Sequence, residues 1–247
     1  MKKKVALLLH GLVGSMEGKH YQNKGGADTV LQHSYDHNKE FILDQYNTDV
    51  FIHSWNVDLK DQIQQLYNPK WMYLERQVQF KIPEYIRAKK DRIFAHLSRW
   101  YSFKQVAKKA YEVSQTQGSY DFYLIQRFDL VWNTVPDFPT RMPGTVIWVG
   151  NSTLNRNVEW SDRWFAFTDP QSLQAFSTLY DDIPKYMGPT GDFQSDKQYG
   201  GISSHFLTKH HAQQVQLYPE FKYNFGGYGQ KPNDYNEVRR QYGKDDN

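Results

Sequence analysis

Five apolar residues in a row, Val5-Ala6-Leu7-Leu8-Leu9, run up to His10-Gly11, which is the pattern of a strand buried on both faces and followed by a tight turn. A helical stretch from about His37 to Tyr46 leads to Asp49-Val50-Phe51-Ile52-His53-Ser54-Trp55, a second buried strand ending in polar and aromatic groups, so the unit reads as βαβ-like. Leu59 to Leu66 has helical spacing that Pro69 ends. Asp91 to Gln115 carries a long amphipathic pattern that turns Ile93, Phe94, Leu97, Tyr101, Val106, Ala110 and Val113 toward the core, and Gly118 closes it. Tyr120 to Leu130 is an apolar strand that delivers Asp129 at its end, and Thr145 to Val149 makes another. Strands alternating with helices predict an α/β fold with a mixed, mostly parallel sheet flanked by helices.

Beyond Asn151 the regularity falls. Pro170 opens a helix through Tyr180, residues 184–201 form a Gly/Pro-rich loop, and a further helix lies near Ser203 to Gln214. The reading is one domain over residues 1–247, with a core of about 4–222 and a loose C-terminal tail over 223–247. The chain's 247 residues, 39% hydrophobic and 16% aromatic, suffice for one sizeable core.

Charge and cysteine content narrow the function classes. A net charge of +3 with Lys and Arg dispersed, except at Lys2-Lys3-Lys4, argues against nucleic acid as partner while leaving anionic small molecules open. No cysteine is present, which excludes disulfides, thiolate nucleophiles and Cys-ligated zinc. The first apolar run is too short for a secretory h-region or a membrane span, so a soluble, cytoplasmic protein is expected.

Several segments invite a chemical reading. Leu8-Leu9-His10-Gly11 imitates the oxyanion loop of an α/β-hydrolase, but Gly150-Asn151-Ser152-Thr153-Leu154 and Gly201-Ile202-Ser203-Ser204-His205 both lack the second glycine of a nucleophile elbow. Gly14-Ser15-Met16-Glu17-Gly18-Lys19-His20 similarly falls short of a phosphate loop. His53, Ser54 and Trp55 end the second strand at the same sheet edge as His10, and Trp55 suits either a nucleobase face or core packing. Ser98 is read as capping a fresh helical turn, with Arg99 and Lys104 as anion partners and Lys104 also fitting a solvated helix face.

Asp129, at the lip of a parallel strand, is placed to hold Mn²⁺ or Mg²⁺ bridging to a diphosphate. Arg127 shares its face by period two and fits a pair with that acid or with a phosphate, whereas Asp121 begins the strand and reads as a turn residue. Asp162 can position an acceptor hydroxyl, take its proton, or simply cap a turn. His205, His210 and His211 are not spaced for a metal pair on one helix, so at most His205 completes a site built elsewhere.

Taken in order, Val5 to Gly11, Asp49 to Trp55, Ser98-Arg99-Trp100-Tyr101-Ser102, Tyr120 to Leu130 with Arg127-Phe128-Asp129, Asp162-Arg163-Trp164-Phe165 and Ser204-His205 resemble the small GT-A-fold glycosyltransferases of bacterial polysaccharide loci, large DNA viruses and phages. The likeness spans about residues 4–212. It implies a nucleotide-diphosphosugar donor, a Mn²⁺ or Mg²⁺ ion, and a glycan, lipopolysaccharide or glycoprotein acceptor. It also implies that Asp129 stands where the last acid of the Asp-x-Asp motif holds the metal. His10, Gly11, His53 and Trp55 then border the nucleotide pocket, Arg99, Tyr101 and Arg127 lie toward the donor, and Asp162 lies on the acceptor side. Arg127 replaces the first acid of that motif, which opens a role for the guanidinium in neutralising phosphate. The rival readings are a serine esterase of α/β-hydrolase type and a non-catalytic carbohydrate-binding protein on the same fold.

Overall fold

The computed structural model describes residues 1–13, 27–86, 88–151, 160–191, 193, 202–224 and 234–237. The opening apolar run forms β1 (Lys4–Gly11), with Val5 to Leu9 fully buried because both faces of the strand are covered. Helix α1 (Ala27–Asn38) continues as a π-helical turn, Lys39–Leu43, and leads to β2 (Asn47–Ser54). Helix α2 (Lys60–Tyr67) stops at Asn68, whose left-handed φ of 40° turns the chain into β3 (Trp71–Leu74). The long helix α3 (Lys90–Gln117) ends at Gly118, where φ is 87°, a value that favours glycine. There follow β4 (Phe122–Arg127), β5 (Leu130–Trp132), β6 (Val146–Asn151) and β7 (Trp160–Phe167). Helices α4 (Pro170–Ser177), α5 (Leu179–Tyr186) and α6 (Ser204–Gln214) then precede β8 (Tyr218–Asn224) and β9 (Tyr235–Glu237).

Seven strands form one sheet in the order β3-β2-β1-β4-β7-β6-β8. Only β7 runs against its neighbours, antiparallel to both β4 and β6, while β1–β2, β2–β3, β1–β4 and β6–β8 pair in parallel. The fold is therefore α/β with a mostly parallel sheet flanked by helices, as the alternating pattern predicts. Strand periodicity divides the core in two. Ala6, Leu8, Phe51, Tyr123 and Ile125 pack toward α3, whereas Val5, Leu7, Leu9, Val50, Ile52, Phe122 and Leu124 pack with α1 and α2 residues such as Leu31 and Ile63. Among the described residues no helix is long and apolar enough to cross a membrane.

Some elements differ from the sequence reading. Ser98 does not cap a new turn: α3 is continuous through it, and its hydroxyl donates to Gln77 Oε1 at 2.8 Å. Helix α1 begins at Ala27, upstream of the expected start at His37. The helix expected from Pro170 is two, α4 and α5, divided at Thr178; its start follows the usual chemistry, since Asp169 accepts from the Ser172 backbone N–H at 2.7 Å and Pro170 occupies the first turn. Within the stretch read as a tail, Tyr235–Glu237 pairs antiparallel with β5 and the Tyr235 ring is buried; most of the tail, and the segment Gly14 to His20, lie outside the described residues.

Helix α6 is tied to its neighbours through a buried neutral histidine. His211 bonds the Tyr186 hydroxyl through Nδ1 at 2.7 Å and the Phe176 carbonyl through Nε2 at 3.1 Å, so Nε2 carries the proton. Burial pushes its pKa down to about 4, with Asp182 opposing. The unfolded chain binds the proton first as pH falls, so this contribution is present above about pH 6.5 and is lost toward pH 4. Unfolding free energy from urea titrations is expected to fall by on the order of 2 kcal/mol between pH 7 and pH 5 through this group. An equally steep fall in His211→Gln would remove His211 as its source.

Candidate active site at the carboxyl edge of the sheet

The strand register aligns the first three site residues. His10 on β1 is the Cα partner of His53 on β2 and of Arg127 on β4, so all three stand at the carboxyl ends of adjacent parallel strands. Period two puts them on the α3 face, in line with Leu8, Phe51 and Ile125. Open α/β sheets bind ligands beyond this edge. Because β7 is reversed, its beginning rather than its end reaches the same place.

A bulge aims the fourth residue. Pairing of β6 with β7 jumps from Val149↔Phe165 to Gly150↔Ser161, so Asp162, Arg163 and Trp164 have no counterparts on β6. Such insertions re-aim side chains. Here the Asp162 carboxylate meets Arg99, which α3 projects toward the sheet edge. Arg99 Nη1 donates to Asp162 Oδ2 and to Ser204 Oγ at 3.2 Å, and Nη2 donates to the Asp162 backbone carbonyl. Burial disfavours the Asp162 anion, but the Arg99 charge, with hydrogen bonds from His205 and Ser204, outweighs it and holds the carboxyl well below the usual range. His205, in the first turn of α6, lies with Nδ1 3.0 Å from Asp162 Oδ1.

Arg127 and Asp129 form the second pair. Asp129 sits in the turn between β4 and β5, where Arg127 Nε donates to Oδ1 and Nη2 to Oδ2, both at 2.7 Å. This bidentate fork fixes the guanidinium plane. The Arg127 side chain nevertheless stays 30% exposed, against 9% for Asp129. Asp121, at the other end of the strand, accepts from the Lys4 backbone N–H at 2.7 Å, as befits a turn residue.

His10 lies between the two arginines. It is buried, and its Nδ1 has no hydrogen-bond partner among the described residues. Desolvation, followed by the charges on Arg99 and Arg127, pushes its pKa well below normal, so the ring is neutral. Arg99 Nε and Trp55 Nε1 are likewise buried atoms without a hydrogen-bond partner among the described residues. Each such group costs about 1–3 kcal/mol; other buried atoms of this kind, such as Thr48 Oγ1 and Trp148 Nε1, lie away from this edge. Gly11 follows His10 with φ of 93° and nothing within 4 Å of where a Cβ would be; its conformation, not crowding, calls for glycine.

His53 serves a different network. The Gly11 N–H donates to Ser102 Oγ at 2.8 Å, Ser102 Oγ lies 2.7 Å from His53 Nδ1, and His53 Nε2 lies 3.1 Å from Glu75 Oε1. A serine, histidine and glutamate in contact suggest a hydrolytic triad. The surroundings argue otherwise: Ser102 is fully buried in the middle of α3, away from any strand–turn–helix elbow, and its oxygen already accepts the Gly11 N–H. The chain ties the β1 turn to α3 and to the loop after β3.

The remaining expected residues fall beside this cluster. Trp55 is buried and stacks on Tyr101 at 5.6 Å, with the His53 ring edge-on to it at 4.9 Å. Burial and then the Glu75 carboxylate push the Tyr101 phenol up to about 12. Tyr101 also meets Phe80 and Tyr180, which with Leu97 line a cleft that includes none of Arg99, Asp162, Arg127 and Asp129. Lys104 is not at the site: its ammonium pairs with Asp181 at 2.7 Å. His96 and Glu75 escaped the sequence reading. His96 stands three residues before Arg99 on α3, a spacing that puts both on one face, and burial with the Arg99 charge lowers its pKa to about 4 while Asp162 opposes. Glu75 follows a strand too short to give a pattern.

The divalent ion expected at Asp129 and His205 does not fit these donors. His205 is brought to Asp162 instead, both Asp129 oxygens are engaged by Arg127, and among the described residues no group of three His, Asp or Glu side chains is arranged to hold a metal. An ion held by one protein carboxylate would have to take Asp129 from Arg127.

No family model and no curated protein matches the chain. Among solved structures it is similar to one from Desulfovibrio desulfuricans G20 assigned as a nucleotide-diphospho-sugar transferase, at 12% identity and a TM-score of 0.45, over 91% of this chain and 82% of that one. It is also similar to the inositol-1-phosphate CTP transferase from T. maritima, at 9% identity and a TM-score of 0.43, over 96% of this chain and 89% of that one.

Proposed function

We propose that the protein is a glycosyltransferase that moves a sugar from a nucleotide-diphosphate donor to a hydroxyl of a glycan, lipopolysaccharide or glycoprotein acceptor. The observation that carries this reading is the pair of arginine–carboxylate contacts, Arg127–Asp129 and Arg99–Asp162, gathered around neutral His10 at the carboxyl edge of parallel strands. A departing nucleoside diphosphate develops negative charge on its bridging oxygen. A guanidinium already oriented by a fork to Asp129 and still partly exposed is suited to receive that charge without reorganising. Asp129 thus acts by orienting Arg127, and neutral His10 beside it keeps an Nδ1 without a hydrogen-bond partner among the described residues. Charge neutralisation and positioning supply the catalysis in this reading, and no step passes through a metal.

A thermal-shift panel of UDP-, GDP- and dTDP-sugars tests it. One nucleotide class should stabilise the protein, by about 2.7 kcal/mol at a hundredfold excess over its dissociation constant. The shift should persist in EDTA, since Arg127 rather than an ion holds Asp129. Turnover of the donor distinguishes the enzyme from a carbohydrate-binding protein, and absence of any nucleotide shift sinks the proposal. Fluorophosphonate labelling should leave Ser102 unmodified; labelling there would restore the esterase alternative.

A further inference from the structure

Transfer to a hydroxyl needs a group that removes its proton, and Asp162 is badly suited to that work. Its carboxylate is pinned by Arg99, its backbone carbonyl is bound by the same guanidinium, and its affinity for protons is correspondingly low. Resting on the glycosyltransferase reading, we infer that His205, oriented by Asp162, is the catalytic base that takes the acceptor's proton.

The hydrogen-bond geometry determines which ring nitrogen is available. Ionised Asp162 can only accept, so its Oδ1 at 3.0 Å requires a proton on His205 Nδ1. The Asp162 backbone N–H also approaches that nitrogen, at 3.3 Å. If that contact set the tautomer, two lone pairs would face each other at the shorter distance, so the charge-assisted bond prevails. Nε2 is then left with its lone pair. The side chain is 27% exposed, and among the described residues Nε2 has no hydrogen-bond partner. The charged and titratable groups facing the ring are Asp162 on β7 and His96 on α3, with Arg99 behind the carboxylate. An imidazole held at Nδ1 by a carboxylate and open at Nε2 is the arrangement that accepts a proton from a hydroxyl and stabilises the resulting imidazolium.

The step balances without a further reactant. The Nε2 lone pair takes the hydroxyl proton as the oxygen attacks the anomeric carbon. The bond from that carbon to the diphosphate oxygen breaks, and its electron pair leaves on the nucleoside diphosphate. The proton on His205 then passes to solvent.

Hydrolysis of UDP-glucose, GDP-mannose and dTDP-glucose, with water as acceptor, provides the assay. For the donor that is turned over, His205→Gln should lower kcat by about 10²- to 10⁴-fold while nucleotide affinity stays within twofold, and added imidazole should partly restore His205→Ala. Long-range ¹H–¹⁵N NMR should report the Nδ1–H tautomer for His205 without any turnover. A His205→Gln enzyme as fast as wild type, or an Nε2–H tautomer, overturns the base assignment and leaves the transferase reading standing. Failure of the wild-type protein to bind any nucleotide overturns both.

Discussion

Alanine in place of Asp162 is expected to destabilise the protein by about 3–5 kcal/mol, the usual cost of leaving a buried ionic partner unmatched. The magnitude follows from what remains. The Arg99 side chain is only 16% exposed and projects from a helix packed on the sheet; among the described residues it would keep Ser204 Oγ, the backbone carbonyl of residue 162 and the Trp100 ring, but no carboxylate hydrogen-bonded to it. Asparagine at the same position retains an oxygen for Nη1 and should cost less. Urea unfolding followed by circular dichroism measures both. The wild-type contribution also has a sign in pH: with the folded pKa depressed, it is present above the unfolded carboxylate pKa and disappears as acid protonates Asp162. A loss below 1 kcal/mol in the alanine variant would mean that the pair does not hold β7 to α3.

Alanine at Asp129 should do the reverse, sparing the fold and removing activity. Arg127 is 30% exposed, so water can serve its guanidinium once the fork is gone, and the stability cost should fall well short of that at Asp162. Donor turnover is another matter. Without Asp129 the guanidinium loses its fixed plane, and the loss of one preorganised charge-stabilising contact typically costs about 10²- to 10³-fold in kcat. Single-turnover rates with the donor identified by thermal shift, read beside the melting temperature, separate the two effects. Undiminished turnover would take Asp129, and with it the oriented Arg127, out of the mechanism.

The parts of this arrangement that were legible in the sequence are those fixed by local periodicity. Val5 to Leu9, Phe51 and Ile52 read as buried strands, and strand-end logic puts His10 level with His53; the Tyr120 to Leu130 run, read as one strand ending in Asp129, is instead β4 (Phe122–Arg127), a turn at Phe128–Asp129 and the start of β5 in the second sheet. Strand period two predicts the Arg127–Asp129 pairing, whereas the turn at Phe128–Asp129 is what folds the carboxylate back onto Arg127. What was hidden depends on contacts between distant segments. Ser98 looks like a helix break because its preference for caps is local, whereas its hydroxyl is satisfied by Gln77 across the helix surface. The partner of Asp162 was unreadable because a bulge in β7 decides which way it points, and nothing in Ser161-Asp162-Arg163-Trp164 announces the three-residue slip. The contact of His205 with Asp162 was unreadable for the same reason. Strand β3 escaped because four residues make no pattern, and β8 because Pro219 within Tyr218–Asn224 argues against a strand unless, as here, it lies on an edge.

The insertion of β7 between β4 and β6 has a practical corollary. Cleavage near Met142, a surface position 73% exposed, would put His10, Arg99, Arg127 and Asp129 on one fragment and Asp162 and His205 on the other. Neither piece alone owns a complete Arg99–Asp162 bridge, and β4 finds its outer neighbour only across the cut. On the proposed transferase reading, co-expressed halves would turn over the donor only on reassociation, so the site is one that a single cut divides and complementation rebuilds.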